Sequence, residues 1–361
     1  MKAGMTHKDF MREALLLARR GRTSPNPMVG AVLVSDGAIV GKGYHPRAGE
    51  PHAEVFALRQ AGERARGADL YVTLEPCCHH GKTPPCADAV IAAGVKRVFA
   101  AMEDPNPQVC GKGFARLREA GIEVQVGLLG EEAGELNRGF IKRVTCGRPF
   151  VLWKAAMTLD GKTACHTGDS RWVTGEAARR RVHRIRSQSD AVMVGIGTVL
   201  ADNPELTVRS CRGQNPLRVV VDARAETPPA SRVLGGEAAT IIAVTGAAPA
   251  GRVEALRGVG AEILEVESQG GRVNLSRLLE MLAELGINNV LLESGGRLSA
   301  SMLGDGLVDR GLIFIAPKIA GGKDAPTPVE GEGASLMAEA LKTGAPKVRR
   351  FGDDIALEFD L

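Results

Sequence analysis

Three side chains constrain this chain more than any other feature: His52 in His52-Ala53-Glu54, Cys77 in Pro76-Cys77, and Cys86. Imidazole nitrogen and thiolate are donors that zinc favours, and three protein ligands leave the fourth tetrahedral position for water, as a catalytic site requires. One ion can be gripped by all three only if the fold brings residues 52, 77 and 86 to one point. Each ligand is expected at or near a helix start, where partial positive charge stabilises a thiolate. Zinc lowers the pKa of its water from about 15.7 to about 7, so hydroxide can add to a ring carbon bearing an amino group. A proton must then move from that water to the ring nitrogen and on to the leaving amine. Glu54, two residues from a ligand, is the expected shuttle. His-x-Glu followed by Pro-Cys and a second Cys is the pattern of zinc nucleobase deaminases.

The spacing departs from a compact Cys-x-x-Cys, because eight residues, 78–85, separate the two cysteines. The alternative is a structural zinc site, whose fourth ligand Cys78, His79 or His80 could supply. The catalytic reading is preferred because a structural site has no use for Glu54. Within the insert, His79, His80 and Lys82 place donors beside the metal, and Gly81 permits close backbone approach. The insert could hold a phosphate or be a solvated loop. Asn26, in Pro25-Asn26-Pro27, could read a pyrimidine edge or only make a turn. His45 could hydrogen-bond sugar or phosphate, or lie on the surface.

Around these motifs the pattern alternates. Helices are expected over 6–20 (with Thr6 and Asp9 at capping-box spacing), 52–61, 86–93 and 112–120, and strands over 28–34, 38–43, 69–74, 95–101 and 122–126. That alternation predicts an α/β sandwich. A second α/β run starts near Arg148, with strands over 150–156, 190–194, 217–222, 239–244 and 289–292 and a basic helix over 175–188. The stretch 245–275 carries weak signals. At 361 residues two domains are expected, divided as 1–147 and 148–361.

Composition excludes some partners. Aromatic residues are 4% of the chain, too few for a stacking platform on single-stranded nucleic acid. The formal charge of +4, without a long basic run, suits an anionic small molecule better than DNA. The sequence shows no apolar span long enough for a membrane and no secretory signal in MKAGMTHKDF. The chain has seven cysteines, an odd count, and the cluster Cys77, Cys78 and Cys86 fits metal binding in the reducing cytoplasm better than disulfides. Cys110, Cys146, Cys165 and Cys211 read as ordinary reduced thiols.

SPNPMVGAVLV (24–34), HAE (52–54) and TLEPCCHHGKTPPC (73–86) resemble the deaminase half of the bifunctional riboflavin biosynthesis deaminase–reductases. KAAMTLDGK (154–162), GDSRW (168–172), GTVLADNP (197–204) and LLESGG (291–296) extend the resemblance into the second half. It implies a cytidine-deaminase-like three-layer domain followed by a dihydrofolate-reductase-like domain. The implied reactions are zinc-dependent hydrolytic deamination of 2,5-diamino-6-ribosylamino-4(3H)-pyrimidinone 5′-phosphate, then NADPH reduction of the ribosyl group of 5-amino-6-(5-phosphoribosylamino)uracil to ribityl. By motif position, His52, Cys77 and Cys86 are the implied zinc ligands and Glu54 the proton donor. Asn26, His45, His79 and Lys82 fall where the family surrounds the deaminase substrate. Lys154, Ala156, Trp172, Thr198, Asp202 and the segment Gly295, Gly296, Arg297, Leu298, Ser299, Ala300, Ser301 fall at the cofactor. Ser170, Arg186, Leu206, Arg209 and Glu293 fall at the reductase substrate. Arg297-Leu298-Ser299 departs locally from relatives that carry Pro or Thr there. Relatives assemble through the reductase half, which implies a homo-oligomer.

The residues of the second half bear on this reading. Gly295-Gly296 lies between an expected strand and a helical stretch, 298–303, where pyrophosphate could meet a helix N-terminus, although a plain turn would look the same. There is no G-x-G-x-x-G, so a Rossmann domain is not supported. Arg224 could meet the 2′-phosphate of NADP or be solvent-exposed. Arg186 and Arg209 could grip a substrate phosphate through two guanidinium bonds, or Arg186 could belong to one solvated face with Arg179, Arg180, Arg181 and Arg184. Lys154, Asp202 and Glu293 are the polar candidates for proton transfer, and Trp172 is expected near the cofactor or in the core. The competing readings are a nucleic-acid base deaminase with an unrelated tail, and a non-catalytic zinc-stabilised NADP-binding module.

Overall fold

Helix α1 (His7–Ala18) begins where Thr6 and Asp9 exchange side-chain-to-backbone bonds in a capping box, and it buries Phe10, Met11, Ala14 and Leu17. Strands β1 (Gly30–Ser35) and β2 (Ala38–Tyr44) pair through a two-residue turn, Asp36-Gly37, with φ of 51° and 74°. Helix α2 (Ala53–Ala61), β3 (Asp69–Val72), α3 (Cys86–Ala92), β4 (Arg97–Ala100), α4 (Lys112–Glu119) and β5 (Glu123–Val126) follow, then α5 (Gly130–Leu136) and α6 (Arg138–Cys146). The computed structural model describes residues 5–78, 85–107 and 109–361, and the chain divides into two compact units, Met1–Gly147 and Arg148–Leu361.

In the first unit a five-stranded sheet runs β2-β1-β3-β4-β5, with β1 antiparallel to both neighbours and β3, β4 and β5 parallel. Strand alternation gives the sheet two apolar faces. Ala31, Leu33, Leu70 and Val72 pack with Ala57 of α2, Val90 of α3 and Leu117 of α4. Val32, Val34 and Tyr71 pack with Phe10 and Leu15 of α1 and Ala133 of α5. The result is three layers, helices on both sides of one sheet.

The second unit carries β6 (Phe150–Thr158), α7 (Glu176–Arg186), β7 (Ala191–Gly195), α8 (Ile196–Asp202), β8 (Leu217–Val221), β9 (Thr240–Val244), α9 (Ala250–Gly258) and β10 (Glu262–Glu265). A short hairpin, β11 (Ser268–Gln269) and β12 (Arg272–Val273), leads to α10 (Leu275–Glu284), β13 (Asn289–Leu292) and α11 (Gly296–Gly304). Strands β14 (Arg310–Ala316), β15 (Lys347–Phe351) and β16 (Asp354–Asp360) end the chain. The nine-stranded sheet has the order β10-β9-β8-β7-β13-β6-β14-β16-β15, parallel from β10 to β14 and antiparallel beyond. Strand β13 enters late in the chain yet lies centrally, between β6 and β7. One face packs on Leu278 and Leu282 of α10 and Met302 of α11, the other on Val182 and Ile185 of α7 and Leu256 of α9. No helix among the described residues is long and apolar enough to cross a membrane. The weak stretch 245–275 becomes α9, β10 and the β11–β12 hairpin, and α5, α6, α8, α10 and β14 to β16 had no counterpart in the sequence pattern.

Candidate functional site

In the first unit, His52 is the N-cap residue of α2 and Cys86 the first residue of α3. Cys77 lies in the loop after β3 and does not itself start a helix, but it stands near the start of α3. The first amide of α3 still reaches it: the Cys86 N–H donates to Cys77 Sγ at 3.4 Å. His52 Nδ1 stands 3.2 Å from Cys86 Sγ and 3.5 Å from Cys77 Sγ, and the three ligand atoms lie within 4.8 Å of one another. Hydrogen bonds from Cys86 and His52 hold the Cys77 thiol well below its usual range. Among the described residues this cluster has three members and does not include Cys78. The α2 start comes close because β2 carries Gly43 beneath it; a Cβ there would lie 2.1 Å from the Ala53 carbonyl oxygen.

Glu54, in the first turn of α2, is 2% exposed, and its Oε2 has no hydrogen-bond partner among the described residues. Burial pushes its carboxyl up to about 7, against the lowering influence of His52. One nitrogen and two sulfur donors, beside a buried carboxylate with an uncommitted oxygen, fit zinc with a polar group left to act on a fourth ligand. A cavity of about 430 Å³ opens over them, bordered by Asn26, His45, Asp104, Asn106 and Phe140.

His45 is 1% exposed, so it does not lie on the surface. Its Nδ1 lies 3.1 Å from the Pro51 carbonyl and its Nε2 lies 3.2 Å from Asn26 Nδ2. A carbonyl only accepts, so Nδ1 carries the hydrogen and Nε2 accepts from the Asn26 amide. Burial, which lowers the His45 pKa, favours that neutral form. The bond turns Asn26 so that Oδ1 and one N–H remain for a ligand. His79 and Lys82, with His80 and Gly81, lie outside the described residues.

Two residues of this site were missed from the sequence. Glu75 is 3% exposed and accepts four backbone N–H bonds, from Asp104 (3.1 Å), Gly111 (3.0 Å), Gly113 (2.8 Å) and Phe114 (3.1 Å). It fastens the strand end that carries Pro76-Cys77 to the start of α4. Gly113 makes that approach possible, since a Cβ there would sit 2.0 Å from the Pro76 carbonyl oxygen. Asn137, between α5 and α6, bonds both the N–H (2.8 Å) and the C=O (2.9 Å) of Met28 and so holds the segment bearing Asn26. The only sequence signal for Glu75 was its place in the Glu75-Pro76-Cys77 run.

The second unit has a cavity of about 1190 Å³ at the carboxyl ends of β7, β8 and β13. Gly195 and Gly295 are the N-cap residues of α8 and α11, and the Gly295 N–H donates to Thr198 Oγ1 at 3.2 Å. Gly296, Arg297, Leu298, Ala300 and Ser301 also border it. Ser299 is 0% exposed, accepts from the Trp153 indole N–H at 3.1 Å, and is not among the residues bordering the cavity. Lys154 and Ala156 stand on β6, half-buried, and Lys154 Nζ is 3.8 Å from Glu293.

Arg186 is 8% exposed, which removes the solvated-face alternative, and its nitrogens meet Glu293 (2.8 and 3.0 Å) and the Thr207 carbonyl (2.8 Å). Arg209 is exposed and pairs with Glu205. Leu206 is buried at a φ of 56°, Ser170 is half-buried, and Asp202 is exposed at the end of α8. Trp172 is 60% exposed with Arg179 4.5 Å over its ring, which removes the core alternative. Arg224 is exposed after β8 and is not among the residues bordering the cavity. Burial lowers the Lys154 pKa, with Glu293 opposing; burial alone would raise Glu293, but Arg186 and Lys154 outweigh it and its carboxyl is lowered.

Residues 5–102 match the cytidine and deoxycytidylate deaminase zinc-binding region, and residues 149–357 match the RibD C-terminal domain. The riboflavin biosynthesis protein RibD of Actinobacillus pleuropneumoniae is 45% identical over 98% of this chain and 95% of its own length. That of Escherichia coli K12 is 45% identical over 98% of this chain and 99% of its own. Among solved structures, Acinetobacter baumannii RibD superposes with a TM-score of 0.89 at 42% identity, covering 98% of both chains. A Thermotoga maritima diaminohydroxyphosphoribosylaminopyrimidine deaminase/5-amino-6-(5-phosphoribosylamino)uracil reductase superposes with a TM-score of 0.87 at 39% identity, again over 98% of both.

Proposed function

The chain belongs to the RibD family of riboflavin biosynthesis proteins, bifunctional enzymes that join a zinc-dependent pyrimidine deaminase to a reductase, and from that premise we propose which residues carry each reaction. The deaminase is assigned to residues 1–147 and the reductase to 148–361. The first step is hydrolytic deamination of 2,5-diamino-6-ribosylamino-4(3H)-pyrimidinone 5′-phosphate. The second reduces the ribosyl group of 5-amino-6-(5-phosphoribosylamino)uracil to ribityl.

His52, Cys77 and Cys86 hold the zinc, which when bound supplies the Lewis acidity that makes water a nucleophile near neutral pH. Glu54 takes a proton from the attacking water and passes it to the ring nitrogen beside the amino-bearing carbon. Glu54 then takes the remaining proton of the added hydroxyl and gives it to the amine, which leaves as ammonia as the carbonyl forms. Asn26, steered by His45, reads the pyrimidine edge, while His79 and Lys82 are assigned to the substrate from their motif positions. The observation that carries this reading is the convergence of the three donors beside a buried carboxylate with one unpartnered oxygen. A Glu54→Gln variant should retain zinc on metal analysis while ammonia release falls by about 10²–10⁴. Deamination at the wild-type rate would sink the assignment.

In the reductase, NADPH supplies the hydride. The 1190 Å³ cavity is large for a drug-sized ligand and has room for a dinucleotide. Hydride addition at the sugar C1′ breaks its bond to the ring oxygen, which needs a proton. Lys154 is the candidate donor: its pKa is lowered by burial, and Glu293 orients it with Arg186 behind. Thr198 and the segment from Gly295 to Ser301 hold the cofactor, with Ala156, Trp172 and Asp202 nearby. Ser170, Arg186, Leu206, Arg209 and Glu293 are assigned to the substrate from their motif positions. A homo-oligomer built through the second unit is supported by the exposed apolar side chains of Leu336, Met337, Leu341 and Val348. A cytoplasmic setting fits seven cysteines that are all unpaired.

A further inference from the structure

The cavity of the second unit has an end that neither the motifs nor the chemistry above assigns. Strand order locates it. The sheet runs β10-β9-β8-β7-β13-β6. The cavity border passes from Gly295 after β13, by Gly195 after β7 and Ala223 after β8, to Gln269 and Arg272 in the hairpin that follows β10. Lys154 on β6 and Glu293 just past β13, the residues assigned above to proton transfer, are not on that border and lie on the side of the sheet order away from β10. A dinucleotide laid along this line has its pyrophosphate near Gly295-Gly296 and its adenosine among Val221, Val273 and Leu275, apolar residues on the same border.

Two arginines border the cavity, Arg272 and Arg297. Among the described residues neither has a carboxylate partner, unlike Arg277, which is bonded to both Glu280 and Glu284. Arg297 lies in the first turn of α11, beside the pyrophosphate position. Arg272 lies at the adenosine end. Glu226, the acid at that end, is 3.8 Å from Arg252 of α9, a cation that faces its charge. Arg224, which the sequence left open between a 2′-phosphate contact and a solvent-exposed residue, is exposed and off the border.

We propose that Arg272 grips the 2′-phosphate of the cofactor and that the β11–β12 hairpin thereby sets the preference for NADPH over NADH. A guanidinium meets phosphate through two parallel N–H bonds, whereas the 2′-hydroxyl of NADH has no charge to offer it. The inference rests on the cofactor reading of the same cavity. It is tested by binding to the full chain, with calorimetric titrations of NADPH, NADH and 2′,5′-ADP. Arg272→Ala should weaken NADPH and 2′,5′-ADP by about ten- to a hundredfold while NADH changes by less than about twofold. Unchanged NADPH affinity in Arg272→Ala, an equal loss for NADH, or a selective loss in Arg224→Ala instead would each overturn the proposal. A wild-type chain that binds neither NADPH nor 2′,5′-ADP would instead remove the cofactor reading beneath it.

Discussion

Glu75 touches none of the three zinc-type donors, yet its four accepted amide bonds fix where Cys77 can be. Those amides belong to residues 104–114, so the role of Glu75 is invisible along the local sequence. Truncation to Ala leaves buried N–H groups without an acceptor, each costing about 1–3 kcal/mol. Glu75→Ala should therefore lose at least about 3 kcal/mol in denaturant unfolding. Zinc affinity should fall by about 10–100-fold in a competition titration, as for other groups that orient a ligand. Unchanged zinc affinity in a folded variant would reduce Glu75 to a loop staple. The donors themselves were legible, because His, Cys and Glu advertise their chemistry by type. The pairing of Arg186 was not: a guanidinium reads the same with or without a buried carboxylate beside it, and only the neighbouring strands bring Glu293 to it.

At the scale of elements, periodic segments with a clear stop were readable, and weakly patterned ones were not. Helix α1 announces itself through Thr6 and Asp9, and β1–β2 through Asp36-Gly37. Helix α5, GEEAGEL, has two glycines and one buried side chain, Ala133, so no amphipathic stripe marks it. Strand β14, RGLIFIA, has a suitable composition, but its place at β6 comes from pairing across more than a hundred residues. Asp160 shows how such an element is tied down after β6. It accepts from Thr158 Oγ1 (2.6 Å) and from the amides of Ala320 (3.1 Å) and Gly321 (2.7 Å). The Thr158 hydroxyl, then those amides, hold its carboxyl down at about 2, from an ordinary 3.8. A depressed carboxylate stabilises the fold above its unfolded pKa, and that contribution is lost as pH falls through the folded value. The stability gap between wild type and Asp160→Asn should thus be full above about pH 4 and vanish below about pH 2, in denaturant unfolding at stepped pH. A gap that does not depend on pH would show that the charge is immaterial.

At the scale of the molecule, two units with separate cores and separate cavities predict separable activities. Cys86→Ser should abolish ammonia release yet leave NADPH oxidation on pre-deaminated substrate near wild type. Glu293→Ala should do the reverse, with reduction falling by about 10²-fold or more. Loss of both activities in either folded variant would contradict independent sites. What the sequence alone determined was the chemistry at hand: the metal donors and the acid beside them, the α/β alternation, and a motif series running through both halves. Tertiary structure alone decided which of several equivalent side chains faces what. Inserting β13 between β6 and β7 is what brings Lys154, Arg186 and Glu293 together, and hanging a hairpin after β10 is what puts Arg272 rather than Arg224 on the cavity wall. The physical reason is range. Side-chain type and hydrophobic period are local properties carried by each segment, whereas burial, ion pairing and hydrogen-bond choice depend on strand neighbours distant in the chain.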